Sequence, residues 1–331
     1  STTVGAVKPG TITANGDPTA SSQSIIQPLS STITWPTGVT WNGGSAPTLA
    51  SANSRSAAGQ VFNLVTADGG STWYGYEEVD YDPQTLALFS WGTGDDGILA
   101  QNSQTKYSSP TQVPGTTWST LAGGFAFDSR GAIKSDGTLW GWGRNQHGQL
   151  AQNNKTNYSS PIQITGTTWA NVSMGGDESI GTLAVKTDGT LWSWGGNYWG
   201  NLGQNSRTNY SSPVQVPGTN WKFISYGADY SLAVKTNGEL WSWGINNGGS
   251  LGQNNLTSYS SPVQIPGTTW AYAAAGRPGN SIAVKTDGTL WTWGNNQNGM
   301  LGQNNETSYS SPRQVPGTTW DNSHPNKLSA G

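Results

Sequence analysis

The stretch Ser231-Leu-Ala-Val-Lys-Thr-Asn-Gly-Glu-Leu-Trp-Ser-Trp-Gly244 decides the fold of this 331-residue chain. Leu232 and Val234 recur with the period of two that is typical of a β-strand. Asn237-Gly238 supplies the positive φ angles of a type I′ turn, and the two tryptophans that follow share one face of a returning strand. The stretch therefore predicts a β-hairpin. Because both of its faces carry apolar or small residues, we expect neighbouring sheets to cover both.

The hairpin belongs to a unit that is written five times after residue 85. All copies share a Trp-Gly step, the sequence Tyr-Ser-Ser-Pro and a tryptophan at the end of Gly-Thr-Thr-Trp or Gly-Thr-Asn-Trp. The first anchor lies at Trp91, Trp142, Trp194, Trp243 and Trp293. The second lies at Tyr107, Tyr158, Tyr210, Tyr259 and Tyr309. The third lies at Trp118, Trp169, Trp221, Trp270 and Trp320. All three recur every 49 to 52 residues, which is typical of a propeller or a solenoid.

Each unit holds four predicted strands. Besides the hairpin, a third strand is expected at Pro213–Val216 and a fourth after the last tryptophan, as in Lys222–Ser225. Four strands in each unit are typical of a propeller blade. The first copy starts at Leu86–Gly92 without its preceding hairpin strand, and the last ends at Lys327–Gly331. We expect an all-β propeller of about five four-stranded blades, closed where these two ends share a blade. The alternative is a truncated chain whose remaining repeats are missing.

The residues before the repeats predict two further parts. Residues 1–31 are rich in Ser, Thr, Gly, Ala and Pro and are expected to form an extended arm or linker. Residues 32–84 predict a small β domain, because Asp68-Gly69 between two β-prone runs is a hairpin signal. The propeller is then expected to occupy residues 85–331.

The composition argues against several classes of function. Lys and Arg number 15 against 18 Asp and Glu, the net charge is −3, and no basic run is present, so nucleic-acid binding is not expected. No apolar run reaches the length of about eighteen residues that predicts a membrane-spanning helix, and the N-terminal residues lack the pattern from which a signal peptide would be expected. Without cysteine we expect neither disulfides nor Cys-based metal sites.

Catalysis, a cofactor and a metal receive no strong signal. Gly92–Gly97 spells a dinucleotide-binding pattern, but it is the loop of the first repeat and no predicted helix follows it. His147 and His324, the two histidines, lie in different repeats. Acidic loops such as Asp95-Asp96 leave a calcium site open, and paired carboxylates leave glycoside hydrolysis open. We expect neither an enzyme nor a bound cofactor.

The repeat resembles a known family. The resemblance rests on Leu191-Trp-Ser-Trp-Gly-Gly-Asn, Gly200-Asn-Leu-Gly203, Pro213-Val-Gln-Val and Ser231-Leu-Ala-Val, which are similar to the regulator of chromosome condensation repeat. It spans roughly residues 85–331 and implies a circular β-propeller, typically of seven blades. This chain departs from the pattern in its smaller number of repeats and its many Asn, Ser and Thr residues. The family's founder acts on a small GTPase and binds chromatin. Without a basic patch or a distinctive insertion, neither role is expected here.

The region before the repeats resembles a different group. Ile33–Pro47 and Val61–Gly75 carry Trp-Pro, Trp-x-Gly-Gly and Asp-Gly-Gly-x-Thr-Trp steps in an order that is similar to a β module of tailed-bacteriophage structural proteins. This resemblance covers residues 32–82. It implies a virion component with a particle-bound N-terminal part and a displayed propeller.

Comparison of the five repeats separates scaffold from variable surface. Trp-x-Trp-Gly, Gly-Gln-Asn and Tyr-Ser-Ser-Pro are nearly identical in all copies, whereas the segment just after Trp-Gly varies. Equivalent propeller loops gather at one end of the ring, so we expect one variable surface. His147, Tyr198 and Trp199 are its most contact-capable residues, although neutral drift explains any single position as well. The predicted ligand-contacting residues are Arg144, Asn145, His147, Asn197, Tyr198, Trp199, Asn246, Asn247, Asn296 and Gln297.

These observations give three functional hypotheses. In the first, the chain is a non-catalytic bacteriophage virion protein, a tail fibre or capsid decoration, held to other virion proteins by its N-terminal part. Many copies on the virion surface would adhere to host-surface glycan or protein through avidity. In the second, it is a soluble protein- or glycan-binding propeller, such as an inhibitor or a bacterial surface adhesin. The third, a carbohydrate-active enzyme, is disfavoured.

Overall fold

The computed structural model describes residues 87–122, 129–175 and 180–320 with their side chains, and before them the backbone of seven short strands. The chain divides into two units, Ser1–Leu86 and Ala87–Gly331. Every regular element of the described residues is a β-strand, except a 3-10 turn at Asp95–Gly97, so the predicted all-β class is confirmed. None of these residues belongs to a helix that is long and apolar enough to cross a membrane.

In the N-terminal unit, the described strands form a five-stranded sheet and a strand pair. The strands are β1 (Thr2–Val4), β2 (Thr11–Thr13), β3 (Ser22–Gln27), β4 (Thr32–Thr34), β5 (Val39–Trp41), β6 (Gln60–Thr66) and β7 (Trp73–Glu78). The sheet has the order β1-β3-β6-β7-β5, and β2 pairs with β4. β6 and β7 are antiparallel with Thr66 opposite Trp73, which confirms the hairpin predicted around Asp68-Gly69. β3, from the predicted arm, pairs with β6, so one sheet joins residues of the arm and of the small β domain.

The repeat unit forms consecutive antiparallel sheets, each of which is one blade. Blade 1 contains β8 (Phe89–Gly92) and β9 (Tyr107–Gln112). Blade 2 contains β10 (Trp118–Leu121), β11 (Ser129–Lys134), β12 (Leu139–Gly143) and β13 (Tyr158–Ile164). Blade 3 contains β14 (Trp169–Gly175), β15 (Gly181–Lys186), β16 (Leu191–Gly195) and β17 (Tyr210–Val216). Blade 4 contains β18 (Trp221–Tyr226), β19 (Tyr230–Lys235), β20 (Leu240–Gly244) and β21 (Tyr259–Ile265). Blade 5 contains β22 (Trp270–Ala275), β23 (Asn280–Lys285), β24 (Leu290–Gly294) and β25 (Tyr309–Val315).

The strands follow one another in each sheet in chain order, so the predicted blade architecture is confirmed. Blades 2 to 5 have four strands each, and two strands of blade 1 are described. Lys327–Gly331, which we expect to complete blade 1, lies outside the described residues. Closure of the ring through that segment stays a prediction.

The hairpin of blade 4 is confirmed, but its turn is not of the predicted type. β19 and β20 are antiparallel, with Val234 opposite Leu240. The Gly238 N–H donates to the Lys235 carbonyl at 3.0 Å, and within this turn only Gly238 has a positive φ, of 81°. A type I′ turn needs two residues with positive φ. The turn is therefore a type I turn followed by a left-handed glycine, and the type I′ prediction is wrong because Asn-Gly is compatible with both turns.

The segment that ends in the third anchor crosses from one blade to the next. The Trp270 N–H donates to the Gly238 carbonyl at 3.0 Å, and a Cβ on Gly238 would overlap the carbonyl oxygen of Thr268. Trp169, Trp221 and Trp320 donate in the same way to Gly137, Gly189 and Gly288. The strand after this tryptophan is therefore the first strand of the following blade.

Neighbouring blades bury each other's faces through the Trp-Gly anchors. Exposure is 0% for Trp194, Trp243 and Trp293 and 3% for Trp142. Each indole N–H donates to a carbonyl of the preceding blade: Trp142 to Ile98 at 2.9 Å, and Trp194 to Gln149, Trp243 to Asn201 and Trp293 to Ser250 at 2.8 Å. Trp91 of blade 1 is 60% exposed. The burial of this anchor therefore depends on the blade that precedes it.

Candidate functional site

A long connection joins the third and fourth strands of each blade, at the end opposite the hairpin turn. The connections comprise residues 93–106, 144–157, 196–209, 245–258 and 295–308. Successive connections touch, since the His147 and Tyr198 rings lie 5.5 Å apart and a Cβ on Gly248 would lie 3.3 Å from Cβ of Asn295. These five connections form the surface that we call the loop face. The opposite end, with the hairpin turns, is called the turn end.

A buried asparagine holds each connection of blades 2 to 5. Asn246 Nδ2 donates to the carbonyls of Asn255 and Thr257, both at 3.0 Å, and Asn246 Oδ1 accepts from the Leu251 N–H at 2.9 Å. Asn145, Asn197 and Asn296 bond in the same manner. All four side chains have 0% exposure. The structure corrects the predicted surface position of Asn145, Asn197, Asn246 and Asn296, because their own loops enclose these side chains.

The second-anchor tyrosines support the same connections. Asn154 Nδ2 donates to the Tyr158 hydroxyl at 3.0 Å, and equivalent bonds of 3.1 Å join Asn255 to Tyr259 and Asn305 to Tyr309. In blades 1 and 3 a serine takes the place of the asparagine, and its hydroxyl lies near that of Tyr107 or Tyr210. The Tyr-Ser-Ser-Pro tyrosines therefore act as scaffold, in line with their repetition.

The remaining predicted residues lie at the surface of the loop face. Tyr198, Asn247 and Gln297 are exposed, and Arg144, His147 and Trp199 are half-buried. The structure brings His147 together with Tyr198, whereas Asn247 and Gln297 line a separate cleft of about 590 Å³. Leu256, which is 64% exposed, lines the same cleft. The predicted set thus falls into two neighbourhoods on one surface.

His147 and Tyr198 connect blades 2 and 3 at their tips. The rings are edge to face with an interplanar angle of 86°, and the Tyr198 hydroxyl lies 3.4 Å from His147 Nδ1. Burial lowers the pKa of His147, and the positive charges of Arg144 and Lys155 lower this pKa further. The lowered pKa favours the neutral imidazole, and the positive charges that act on it are those of Arg144 and Lys155.

The sequence comparison of the repeats missed a second variable position of the loop face. It precedes the threonine of Gln-Asn-x-x-Thr, and its five occupants are all exposed. The occupants are Gln104, Lys155, Arg207, Leu256 and Glu306. The repeats carry the signal as one changing residue between the constant Gln-Asn step and the constant threonine, outside the segment directly after Trp-Gly.

The aspartates of the hairpin turns accept hydrogen bonds within their own turns. Asp136 Oδ1 accepts from the Thr138 N–H at 2.9 Å and from the Thr138 hydroxyl at 2.6 Å, and these bonds lower the pKa of Asp136. Asp188 and Asp287 accept the same two bonds from Thr190 and Thr289. Within the described ranges, no three His, Asp or Glu side chains are grouped so that they could hold a metal ion.

Known proteins contain the same repeat. Residues 136–180, 188–234, 237–278 and 287–327, more than half of the chain, match the profile of the Regulator of chromosome condensation (RCC1) repeat. The Ultraviolet-B receptor UVR8 of Arabidopsis thaliana is 29% identical over 148 residues, which are 44% of this chain and 34% of the receptor. The Protein RCC2 homolog of Danio rerio is 33% identical over 103 residues, which are 30% of this chain and 21% of that protein. The matches thus span about a third of these relatives or less.

Solved structures share the fold. Human WBSCR16 has a TM-score of 0.61 at 21% sequence identity, and the matched region covers 78% of this chain and 66% of the WBSCR16 chain. Prp20p of Saccharomyces cerevisiae has a TM-score of 0.60 at 17% sequence identity, and the matched region covers 78% of this chain and 73% of the Prp20p chain. At these identities the likeness shows the fold alone.

The comparisons give no support to the bacteriophage resemblance of residues 32–82. The relatives named above come from eukaryotes, and every segment that matches the repeat profile lies between residues 136 and 327. The four matched segments and the four-stranded blades show that this chain belongs to the regulator of chromosome condensation (RCC1) repeat family.

Proposed function

We propose that this chain is a non-catalytic, protein-binding propeller and that its loop face contacts the partner. One observation carries the proposal: the loop face combines a constant buried frame with variable exposed tips. Asn246 and Asn247 show this in adjacent positions, since Asn246 is fully buried and Asn247 is exposed. A pre-formed frame lowers the entropy cost of binding, and its tips supply the specificity.

The tips have the chemistry of a protein-binding surface. Tyr198 is 47% exposed, and Leu256, which is 64% exposed, shares its cleft with the polar Asn247 and Gln297. Exposed aromatic and apolar anchors with a polar surround are typical of protein interfaces. The buried asparagines, the tyrosines and the turn aspartates repeat from blade to blade, which is typical of scaffold and favours binding over catalysis.

The relatives support the same class of function. Yeast Prp20p is described as binding Gsp1p and histones, and the Arabidopsis relative is called a receptor. Each of these descriptions concerns that protein alone. They favour a soluble binding propeller over a virion adhesin. Attachment to other virion proteins, a place on the virion surface and adhesion to host glycan stay hypotheses that rest on residues 32–82.

The test is capture of a partner by the whole chain. We would immobilise the wild type, a Tyr198→Ala/Asn247→Ala variant and a Trp320→Ala variant. The proteins that each captures from an extract of cells that naturally contain this protein would then be quantified. Trp320 is 43% exposed and lies beside Gly288 at the turn end, so its replacement controls for loss of aromatic surface.

We expect at least one protein that binds the wild type and Trp320→Ala equally and binds the loop-face variant about tenfold less, which corresponds to about 1.4 kcal/mol. Capture that both variants weaken equally, or that the loop-face variant leaves unchanged, would contradict the proposal.

A further inference from the structure

Positive charge is concentrated on one part of the loop face. Arg144 and Lys155 of blade 2 both act on His147, and Arg207 occupies in blade 3 the position that Lys155 has in blade 2. Lys155 and Arg207 are exposed, and Arg144 is half-buried and donates to Gln146. The concentration is local, because the whole chain has a net charge of −3.

The other blades carry different charges at the equivalent positions. Blade 1 presents Asp95 and Asp96 in the segment after Trp-Gly, blade 4 has Leu256 where blade 2 has Lys155, and blade 5 has Glu306 there. The blade 1 connection also holds Lys106, which leaves it one net negative charge. The connections of the loop face are therefore net positive at blades 2 and 3, net negative at blades 1 and 5, and uncharged at blade 4. A partner that reads this pattern docks in one orientation, because like charges oppose each other in the other orientations.

Aromatic surface lies within the basic region. The Tyr198 ring, which is 47% exposed, packs edge to face on His147, and Lys155 lies close enough to His147 for its positive charge to act on that residue. Trp199, the next residue, is half-buried. We call Arg144, His147, Lys155, Tyr198, Trp199 and Arg207 the basic patch. It offers three cations for carboxylates and, beside His147, the rings of Tyr198 and Trp199 for an apolar side chain.

We propose that the basic patch binds a short acidic segment of the partner protein, with Asp or Glu carboxylates on Lys155, Arg207 and Arg144 and an apolar side chain on Tyr198. This inference rests on the proposed function and specifies its partner. Arginine and lysine clusters with a neighbouring apolar contact are a recurring means of recognising acidic peptides.

A peptide fits the patch better than a nucleic acid does. Nucleic-acid affinity grows with the number of phosphates that Lys and Arg neutralise, and this patch is small within a negatively charged chain. A long polyanion would also meet Asp95 and Asp96 of blade 1. A short acidic segment avoids that repulsion and uses the aromatic surface.

Asp96 marks the edge of the basic patch. Its carboxylate accepts from Asn157 Nδ2 at 2.9 Å, two positions after Lys155 in the chain. A negative charge at this edge opposes an acidic ligand. Removal of the Asp96 charge should therefore strengthen binding of an acidic ligand. A variant with a damaged fold would bind more weakly instead, so the two outcomes can be told apart.

The experiment measures binding of labelled peptides to the whole chain by fluorescence anisotropy. The probe is a pool of peptides rich in Asp and Glu with a few Leu, Phe and Tyr residues, and the control pool carries Asn and Gln in place of the acids. The variants are Lys155→Glu/Arg207→Glu, Asp96→Asn and the matched charge control Lys222→Glu/Arg313→Glu. Lys222 lies beside the hairpin turn of blade 4, at the turn end, and Arg313 lies within β25.

We expect the acidic pool to bind at least about tenfold more tightly than the amide pool, with an affinity that falls as salt is added. Lys155→Glu/Arg207→Glu should lose this preference, Asp96→Asn should bind about two- to threefold more tightly, and the matched control should match the wild type. Equal binding of both pools, equal loss in both double variants, or tighter binding of heparin than of the acidic pool would overturn the inference.

The two proposals fail separately. Capture of a partner that depends on Tyr198 but shows no preference for acidic peptides leaves the loop face as the binding surface and refutes the basic patch. Acidic peptides that bind with the predicted variant pattern, together with a cellular partner that ignores Tyr198→Ala/Asn247→Ala, refute the loop face as the partner's surface and leave the patch as a local peptide site.

Discussion

The two ends of each blade differ in what changes from repeat to repeat. At the turn end the same arrangement recurs, with Lys134, Lys186, Lys235 and Lys285 each lying 4.3 to 5.0 Å from the centres of two tryptophan rings. At the loop face the buried asparagines and tryptophans and the Gln-Asn-x-x-Thr step recur, whereas the exposed residues after Trp-Gly and before that threonine change between blades. The repeated side chains therefore stabilise the blades and their connections, and the variable exposed side chains are the candidates for specific contact with a partner. The predictions below test this division, beginning with the largest effect.

The tryptophan that joins two blades beneath the loop face should matter most. Trp243→Ala removes a fully buried indole and its 2.8 Å bond to the Asn201 carbonyl, so we expect the free energy of unfolding to fall by about 3 to 5 kcal/mol. Trp91→Ala is the matched control, because this indole is 60% exposed and should contribute less than about 1 kcal/mol. Urea denaturation measures both. Equal losses in the free energy of unfolding would mean that Trp91 is buried as Trp243 is, which would contradict the exposed position of the blade 1 anchor.

Adjacent asparagines of one loop should separate frame from tip. Asn246→Ala leaves the Leu251 N–H and the Asn255 and Thr257 carbonyls without their partner, which costs about 1 to 3 kcal/mol. Asn247→Ala removes an exposed side chain and should change stability by less than about 0.5 kcal/mol. Both are measured by urea denaturation. Similar losses for the two variants would contradict the division into frame and tip.

The lysine of the turn end should stabilise through its rings more than through its ion pair. The Lys235 ammonium lies 4.8 Å and 4.5 Å from the ring centres of Trp221 and Trp241, and 3.6 Å from the Glu239 carboxylate. Lys235→Met should cost about 1 kcal/mol, because it keeps the aliphatic stem and removes the cation. Glu239→Gln should cost less than about 0.5 kcal/mol in the same thermal-unfolding assay. A larger loss in Glu239→Gln would reverse this assignment.

The smallest effect concerns the pH dependence of stability at the tip of blade 2. The pKa of His147 in the folded chain lies below the ordinary 6.5, so the unfolded chain takes up the proton first as the pH falls. The contribution of His147 is therefore complete above the ordinary pKa and is lost as the pH falls through it towards the folded value. Between about pH 7.5 and pH 5, the wild type should lose slightly more stability than His147→Gln. An equal or smaller loss would contradict the direction of the shift.

Much of the fold follows from the repeat alone. The alternation of Leu232 and Val234, the Asn-Gly turn and the returning tryptophans predict the hairpin, and the period predicts the blades. The turn type of Asn237-Gly238 was missed because backbone angles decide it and the same two residues suit both turns. The exposure of Trp91 was also beyond the sequence, since a neighbouring blade and not the local sequence covers this position.

The candidate site was less predictable. Asn145, Asn197, Asn246 and Asn296 were assigned to the surface although they are identical in four repeats, and that identity already indicated a scaffold role. Lys155 and Arg207 were not predicted because they lie after the constant Gln-Asn step. The fold places this position on the same loop face as the variable segment after Trp-Gly. Side-chain burial within a loop depends on the path of that loop, which periodicity does not describe.

Amide hydrogen exchange of the whole chain, with and without its captured partner, tests the central claim most directly. A partner on the loop face should slow exchange in residues 144–149 and 196–201 and leave the turn at residues 235–239 unchanged. Slower exchange at the turns, with no change in the two loop segments, would contradict the assignment of the loop face as the binding surface.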